Sequence, residues 1–252
     1  MGSLVKVESR GELAIVRLDR PPANALNPEV LGELEEVRVE LAADPPGAVV
    51  ISGRERFFSA GVDLKLVPTW SPDEQRAMVN GINDLVAGWY CFPRPVVAAV
   101  TGHAIAGGMV IALCADYRVC ATEGKLGLTE LRAGVPYPVG AIGLVRAELG
   151  APAARALALR AHLVEPEEAL RLGLVDELVG PGEVLERACD VAREMAAFGG
   201  DSYARTKREL RGETLRRIEQ AVEAGDPLLE AWLDEDSPHA AASLLGKGRQ
   251  RR

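Results

Sequence analysis

The chain has 252 residues, of which 48% are hydrophobic and 26% charged, and its formal net charge is -8. This length allows one large core, with or without a smaller appendage, and the composition is that of an ordinary globular protein. The acidic balance argues against nucleic acid and against an anionic membrane as the main partner, because either would require a basic face.

Strands and helices alternate along the first half of the chain. Two helix starts are clearly marked: Asn27 precedes Pro28, and Ser71 and Glu74 form a capping box. The predicted elements are two strands within 4–18 that turn at 10–12, a helix from 28 to about 43, a strand at 48–51, a helix at about 72–91, a strand at 96–100 and a buried helix at 109–115.

The second half becomes mostly helical. The predicted elements are a strand at 117–121, helices at 139–149, 152–160 and 166–172, a strand at 174–179, and helices at 183–198, 201–224 and 227–233. The alternation predicts an α/β core over residues 1–199. We expect residues 200–252 to form a helical appendage that serves assembly, although the pattern alone fits a helix folded back on its own core equally well.

Cysteine usage and the N-terminus predict the compartment. Cys91, Cys114, Cys120 and Cys189 show no C-x-x-C spacing, and three of them lie in apolar runs. We therefore expect reduced thiols rather than disulfides. The N-terminus lacks the apolar segment of a signal peptide, and no apolar run approaches the roughly 20 residues of a membrane span. These features predict a cytoplasmic protein that does not enter a membrane.

Two glycine-bearing loops, each after a strand, carry the strongest functional signal. One covers Phe58 to Asp63, and the other, Gly102 to Gly108, leads into the apolar helix. Glycine lets the backbone approach a ligand closely, and the first N–H groups of a helix have no partner within it. Two such groups that converge from separate segments would form an oxyanion hole, in which each donor contributes roughly 3 kcal/mol to transition-state stabilisation. Small residues at tight turns are also a common structural feature without a catalytic role.

A dinucleotide site is an alternative for the second loop. G-H-A-I-A-G at 102–107 fits a loosened G-x-G-x-x-G, and Glu123 lies near the end of the next strand. However, Ala104 replaces the second glycine, the motif begins far into the chain, and the F-S-A-G-V-D-L segment stays unexplained. A nicotinamide-dependent oxidoreductase is therefore the weaker hypothesis.

Two blocks of the chain resemble the signature blocks of the crotonase (enoyl-CoA hydratase/isomerase) superfamily: F-F-S-A-G-V-D-L-K and G-H-A-I-A-G-G-M-V-I-A-L-C-A-D-Y-R. The resemblance runs from about residue 4 to 179. It implies a spiral of ββα units, a homotrimer or a dimer of trimers, and an acyl-CoA substrate, with no metal and no cofactor beyond the CoA of the thioester. By position, the N–H groups of Ala60 and Gly107 would form the oxyanion hole. The CoA contacts would come from Ala60, Gly61, Val62, Asp63, Leu64 and Gly107.

Hydratases of this superfamily carry two glutamates, and only one of the two positions is acidic here. The first falls on Val110 and the second on Glu130, in G-L-T-E. Hydration with both carboxylates uses one to activate water and one to assist protonation, whereas one carboxylate suffices to move a proton between two carbons. The resemblance therefore implies isomerisation of 3-enoyl-CoA to 2-enoyl-CoA, with Glu130 as the single acid and base.

Other roles stay open at this point. Hydration is the second candidate, and decarboxylation the third, because G-V-P-Y at 134–137 also occurs in acyl-CoA decarboxylases of the superfamily. Glu130 could instead be a solvated acid with no catalytic role. The acyl chain length cannot be read from the pattern. The remaining candidates are expected to hydrogen-bond or pack rather than react: His103, Asp63, Asp116, Trp70, Trp89 and Trp232.

Overall fold

The structure is a computed structural model that describes residues 2–233. Its strands are β1 (Val5–Arg10), β2 (Leu13–Leu18), β3 (Ala48–Ser52), β4 (Phe57–Ser59), β5 (Val96–Val100), β6 (His103–Ile105), β7 (Tyr117–Ala121), β8 (Leu126–Gly127), β9 (Leu163–Val164) and β10 (Glu177–Val179). Its α-helices are α1 (Pro28–Ala43), α2 (Pro72–Tyr90), α3 (Gly107–Leu113), α4 (Val139–Glu148), α5 (Ala151–Ala154), α6 (Pro166–Leu172), α7 (Val184–Ala196), α8 (Gly200–Glu223) and α9 (Leu229–Leu233). Short 3₁₀ segments cover Val67–Thr69 and Glu130–Ala133, and a π-helical turn covers Arg155–Leu159.

The strands of the described residues form two sheets. The larger has the order β1-β2-β3-β5-β7-β10 and is parallel except for the β1-β2 hairpin. The smaller has the order β4-β6-β8-β9, with an antiparallel last pair. Strands β3, β5 and β7 thus enter the large sheet, and the strand after each enters the small one. This alternation is the predicted spiral of ββα units.

The helix starts that the sequence predicted are confirmed. The Asn27 side chain accepts a hydrogen bond from the Val30 N–H at 3.0 Å, at the start of α1. At the start of α2, the Ser71 hydroxyl accepts from the Glu74 N–H at 3.2 Å, and the Glu74 carboxylate accepts from the Ser71 N–H at 2.7 Å. Each cap satisfies N–H groups that have no partner inside the helix.

The smaller sheet was not predicted. Strands β4 and β6 lie inside the two segments interpreted as glycine loops, and β8 and β9 have only two residues each. Strands this short cannot show an alternating pattern, because alternation needs at least about four residues. The predicted helix at 152–160 is also wrong in detail, since it divides into α5 and the π-helical turn.

Helix α8 packs on α2 and α4 of its own chain. Its Leu215 and Ile218 belong to the main hydrophobic core. Its Lys207 Nζ lies 2.7 Å from one Asp116 carboxylate oxygen, and an Arg211 guanidinium nitrogen lies 2.9 Å from the other. The described part of the helical region after residue 199 therefore shares the core. Its role in assembly stays a prediction, and residues 234–252 lie outside the described residues.

Two findings concern the cysteines and the membrane. Cys114, Cys120 and Cys189 are buried and Cys91 is exposed, and all four are free thiols. Between residues 2 and 233, no helix combines the length and the apolar character needed to cross a membrane.

Candidate active site

A cavity of about 240 Å³ lies where the two glycine-bearing segments, the start of α3 and the 3₁₀ turn at Glu130 meet. Its rim contains half-buried residues of the glycine-bearing segments, including Ala60 and Ile105. Its buried apolar lining includes Ile82, Ala141 and Trp232. The cavity thus combines half-buried residues of the two glycine-bearing segments with a buried hydrocarbon lining.

The two segments pack backbone against backbone beside this cavity. Gly61 has a φ of +75°, and a Cβ there would lie 2.6 Å from the Ile105 carbonyl oxygen and 3.1 Å from the Gly107 nitrogen. Ala106, the residue before α3, has a φ of +51°. A non-glycine residue in this region is strained, and such strain persists only where the surrounding structure imposes it. The two glycine-bearing segments thus converge, a point that the sequence alone left open.

The structure corrects the donor predicted at Ala60. The Ala60 N–H donates to the Ala23 carbonyl oxygen at 3.0 Å, so it is already used within the fold. The Gly61 N–H is also used, since it donates to the Ser59 hydroxyl oxygen at 3.1 Å. Because the positive φ at Gly61 turns the chain there, the amide that follows Gly61 is the first in this segment without a partner among the described residues. That amide belongs to Val62, which the sequence analysis had assigned only to CoA contact.

The Val62 and Gly107 amides are neighbours with no assigned partner. Neither N–H donates a hydrogen bond to any group within residues 2–233. A Cβ on Gly107 would lie 4.0 Å from the Val62 nitrogen, and both residues line the cavity. Leu26 holds the backbone on either side of Val62 in place. The Leu26 N–H donates to the Gly61 carbonyl oxygen, and the Leu26 carbonyl oxygen accepts from the Asp63 N–H, both at 2.8 Å.

Glu130 is buried at the cavity wall. The residue is 8% exposed, and its Oε2 atom is buried with no hydrogen-bond partner among the described residues. Burial raises the pKa of Glu130 from 4.5 to about 7, because an ionised carboxylate loses its hydration there. Hydrogen bonds from the Glu130 backbone N–H and the Tyr137 hydroxyl lower the pKa of this carboxylate, but by less than burial raises it. A solvated surface role for Glu130 is therefore excluded.

The neighbours of Glu130 explain its burial. Leu126 and Leu128 are completely buried and carry the chain into the core just before it. Leu131, also apolar, points outward instead. Val110 lines the same cavity and is 1% exposed, so an apolar side chain stands at the position where the resemblance places a second carboxylate.

Comparison with known proteins decides the family. The family profile described as Enoyl-CoA hydratase/isomerase matches residues 8–249. The chain belongs to this family. A putative enoyl-CoA hydratase from Thermus thermophilus is 37% identical over 237 residues, which cover 92% of each chain.

Solved structures agree with this family assignment. The enoyl-CoA hydratase EchA3 of Mycobacterium ulcerans is 31% identical, with a TM-score of 0.85, and the match covers 92% of this chain and 100% of that one. Human mitochondrial delta3-delta2-enoyl-CoA isomerase is 27% identical, with a TM-score of 0.91 and coverage of 99% and 100%. The fold is therefore that of the crotonase superfamily, and the dinucleotide hypothesis for residues 102–107 is wrong.

In this member of the enoyl-CoA hydratase/isomerase family, the residues predicted to contact CoA fall into two groups. Ala60, Val62, Leu64 and Gly107 line the cavity, whereas Gly61 and Asp63 do not. The Asp63 carboxylate instead forms an ion pair with Arg20 at 2.9 Å. Asp63 thus secures its loop, as predicted.

Two further predictions have different outcomes. His103 stacks on Phe57, and its Nδ1 accepts a hydrogen bond from the Lys125 N–H at 3.1 Å, so the predicted hydrogen-bonding role is confirmed. Trp232 packs as predicted, but it also lines the cavity, which sequence analysis missed. No local pattern could have shown this, because the contact joins α9 to segments more than 90 residues away.

Proposed function

We propose that the protein isomerises 3-enoyl-CoA to 2-enoyl-CoA, with Glu130 as the single acid and base and the Val62 and Gly107 amides as the oxyanion hole. The observation that carries this proposal is the buried carboxylate of Glu130. Among the described residues that line the cavity it is the only carboxylate, and it shares the cavity with two backbone amides that have no partner within residues 2–233. The human isomerase, which aligns over nearly the whole chain, supports the proposal.

The proposed reaction is a balanced proton transfer. Ionised Glu130 removes a proton from C2 of the thioester, and the electron pair moves onto the carbonyl oxygen to give a dienolate. The Val62 and Gly107 N–H groups stabilise this oxyanion more than they stabilise the neutral carbonyl. Protonated Glu130 then returns the proton to C4, and the double bond moves to the 2-position. The step uses the CoA of the substrate and no added cofactor.

The raised pKa of Glu130 suits this role. A general base works best when its pKa lies near the working pH, and a pKa of about 7 meets that condition. The same carboxylic acid, once protonated, is weak enough to hold the proton through the dienolate stage and strong enough to return it. The CoA contacts expected from Ala60, Val62 and Leu64 belong to this proposal.

Hydration of 2-enoyl-CoA is the second candidate. It is favoured by the Thermus relative, which is named a putative enoyl-CoA hydratase. It is disfavoured by Val110, because Glu130 is then the only carboxylate that the described lining residues offer for two acid-base tasks.

Side-by-side assays of 3-enoyl- and 2-enoyl-CoA test the proposal. We expect isomerisation to exceed hydration, and we expect Glu130→Gln to lower kcat for isomerisation by about 10²- to 10⁴-fold while acyl-CoA still binds. The control is Glu123→Gln, which changes an exposed carboxylate outside the cavity in the same way. An active Glu130→Gln enzyme would remove Glu130 from the mechanism, and faster hydration than isomerisation would favour the second candidate.

We also propose a homotrimer or a dimer of trimers. Large apolar side chains exposed on the described chain support an assembly: Phe198 is 65% exposed and Leu210 is 81% exposed. Burial of such side chains against another subunit would be favourable. Sedimentation analysis tests this proposal, and a monomer at micromolar concentration would contradict it.

A further inference from the structure

The G-V-P-Y segment at 134–137 has no role in the proposed reaction, yet it lies beside the turn that carries Glu130. Gly134 ends this 3₁₀ turn with a φ of +71°, a conformation that glycine adopts without strain. The Val135 N–H then donates to the Glu130 carbonyl oxygen at 3.3 Å. The chain after Glu130 is therefore folded back against it, and Tyr137 follows two residues beyond this contact.

The backbone around Tyr137 is held on both sides. The Pro136 carbonyl oxygen accepts a hydrogen bond from the Trp232 Nε1–H at 3.0 Å. On the other side, α4 begins at Val139, whose N–H donates to the Asp226 carboxylate at 2.9 Å. The Tyr137 side chain itself is 5% exposed and belongs to the main hydrophobic core. Its position is thus set by packing as well as by hydrogen bonds.

The Tyr137 hydroxyl reaches Glu130 from outside the cavity lining, since Glu130 lines the cavity and Tyr137 does not. The hydroxyl hydrogen-bonds the Glu130 carboxylate. It also lies 3.5 Å from the Ala158 carbonyl oxygen, which is near the upper limit for a hydrogen bond. Because an ionised carboxylate is the stronger acceptor of the two, the hydroxyl donates to Glu130 whenever Glu130 is charged.

The two carboxylate oxygens of Glu130 therefore differ. Oε2 is buried without a hydrogen-bond partner among the described residues. The Tyr137 hydroxyl accordingly engages the other oxygen, Oε1. A carboxylate that is held at one oxygen keeps a fixed orientation, and its second oxygen is left for a proton that comes from a substrate.

We propose that Tyr137 is a positioning residue for the reaction: its hydroxyl holds one oxygen of Glu130 and leaves Oε2 to take the substrate proton and to return it. This inference rests on the proposed function. Burial and the neighbouring carboxylate raise the pKa of Tyr137, so Tyr137 keeps its own proton throughout.

The same hydrogen bond affects the titration of Glu130. It stabilises the ionised carboxylate and so lowers the pKa of Glu130, against the larger effect of burial. Among the titratable side chains of residues 2–233, only Tyr137 shifts this pKa. Arg132, the other charged residue of the described cavity lining, does not. A change of the Glu130 pKa therefore reports on Tyr137.

The test is the pH profile of isomerisation in Tyr137→Phe, which loses the hydroxyl and keeps the ring that packs in the core. Because the ionised carboxylate then loses a donor, we expect the inflection of kcat/KM to move upward by about one pH unit. We expect kcat on its plateau to fall by about tenfold or more, because Oε2 is no longer held in place. KM should stay within about twofold, since the Val62 and Gly107 amides are unchanged.

Tyr90→Phe is the matched control. The Tyr90 hydroxyl also donates to a glutamate, Glu148, at 2.6 Å, and Tyr90 is also buried, but neither residue lines the cavity. The pH profile of this variant should equal that of the wild type. An unchanged inflection in folded Tyr137→Phe would overturn the proposal, and so would an equal shift in Tyr90→Phe.

Replacement of Tyr137 by 3-fluorotyrosine covers the case in which Tyr137→Phe does not fold. Fluorine makes the hydroxyl a stronger donor and hardly changes the size of the ring. The inflection should therefore move below that of the wild type, in the direction opposite to Tyr137→Phe. An inflection that stays in place or moves upward would contradict the proposal.

An infrared titration separates this inference from the proposed function. The carbonyl stretch of protonated Glu130, identified by subtracting the spectrum of Glu130→Gln, reports its titration without turnover. If this titration moves upward in Tyr137→Phe but the wild type does not isomerise 3-enoyl-CoA, the proposed function fails and the hold of Tyr137 on Glu130 is confirmed. If the wild type isomerises 3-enoyl-CoA and the titration does not move, only the role of Tyr137 fails.

Discussion

Val110 and Glu130 line the same cavity, and both are buried: Val110 lies in the first turn of α3, and Glu130 begins the 3₁₀ turn after β8. In this pair, a hydrocarbon side chain accompanies a lone carboxylate. Among the described residues that line the cavity, Glu130 is the only carboxylate, which suits the proposed proton transfer between two carbons better than the addition of water.

Installing the missing carboxylate should shift the reaction. We expect Val110→Glu to accelerate hydration of 2-enoyl-CoA by about tenfold or more relative to Val110→Gln, because a second general acid-base group becomes available. The glutamine variant has nearly the same size and polarity but cannot exchange a proton. Both variants should be less stable than the wild type, since Val110 is buried. Equal hydration rates in the two variants would show that a carboxylate at Val110 is not what separates the two activities.

The rate of isomerisation should depend on pH through Glu130. The base must be ionised, so kcat/KM should rise with pH and level off above an apparent pKa of about 7. Steady-state kinetics between pH 5 and about 9 would show this inflection. A rate that stays nearly constant across this range would mean that the reacting carboxylate has a lower pKa and is not the buried Glu130.

Stability should depend on pH in the opposite direction. Because the pKa of Glu130 is higher in the folded state than the ordinary 4.5, the folded protein binds this proton more tightly than the unfolded chain does. The resulting stability is fully present below pH 4.5 and is lost as pH rises through about 7, up to about 3 kcal/mol in all. Urea unfolding at pH 5 and pH 8 should therefore show Glu130→Gln gaining stability relative to the wild type as pH rises. A pH-independent difference would contradict the raised pKa.

Removal of the Gly107 amide should slow turnover. Gly107 is the first residue of α3, a position where proline is tolerated. Gly107→Pro and Gly107→Ala both add a Cβ, which would meet the flexible end of Leu26 at 2.9 Å, but only proline removes the N–H. We expect Gly107→Pro to lower kcat by about 10²- to 10³-fold relative to Gly107→Ala. Comparable rates in two folded variants would mean that this amide does not stabilise the oxyanion.

The stability of the protein should depend on which member of the buried charge cluster at α8 is replaced. Asp116→Ala leaves Lys207 and Arg211 buried without their shared carboxylate, and we expect a loss of about 3–5 kcal/mol in the free energy of unfolding. Lys207→Met should cost less, because Arg211 still neutralises Asp116 and the methionine fills similar space. Chemical denaturation of the two variants compares these losses, and an equal or larger loss in Lys207→Met would contradict the argument.

Part of the candidate site was predictable because it follows from short-range chemistry. The glycines that allow close approach, the Gly107 amide at a helix start and the contrast between Val110 and Glu130 are visible within three short segments of the sequence. The helix caps at Asn27 and Ser71 were also predictable, and their hydrogen bonds join residues three positions apart. Each of these features is carried by residue types within a short stretch of chain.

The second amide was not predictable in this way. Ala60 and Val62 are two residues apart in the sequence. The Ala60 N–H donates to the Ala23 carbonyl oxygen, whereas the Val62 N–H has no partner among residues 2–233. That choice depends on the left-handed backbone at Gly61 and on a hydrogen bond across 37 residues of chain. Similarly, the four short strands of the smaller sheet exist through pairing with one another rather than through their own patterns.

By itself, the sequence determined the resemblance to the superfamily and the starts of two helices, because these depend on residue identity and local spacing. The resemblance in turn implied the ββα core and the contrast between Val110 and Glu130. Only the tertiary structure decided that the Val62 amide has no partner among residues 2–233, that Glu130 is buried deeply enough for a pKa of about 7, and that Trp232 lines the cavity. The physical reason is the same for all three. Solvation, the direction of an N–H group and the lining of a pocket depend on which distant segments pack together.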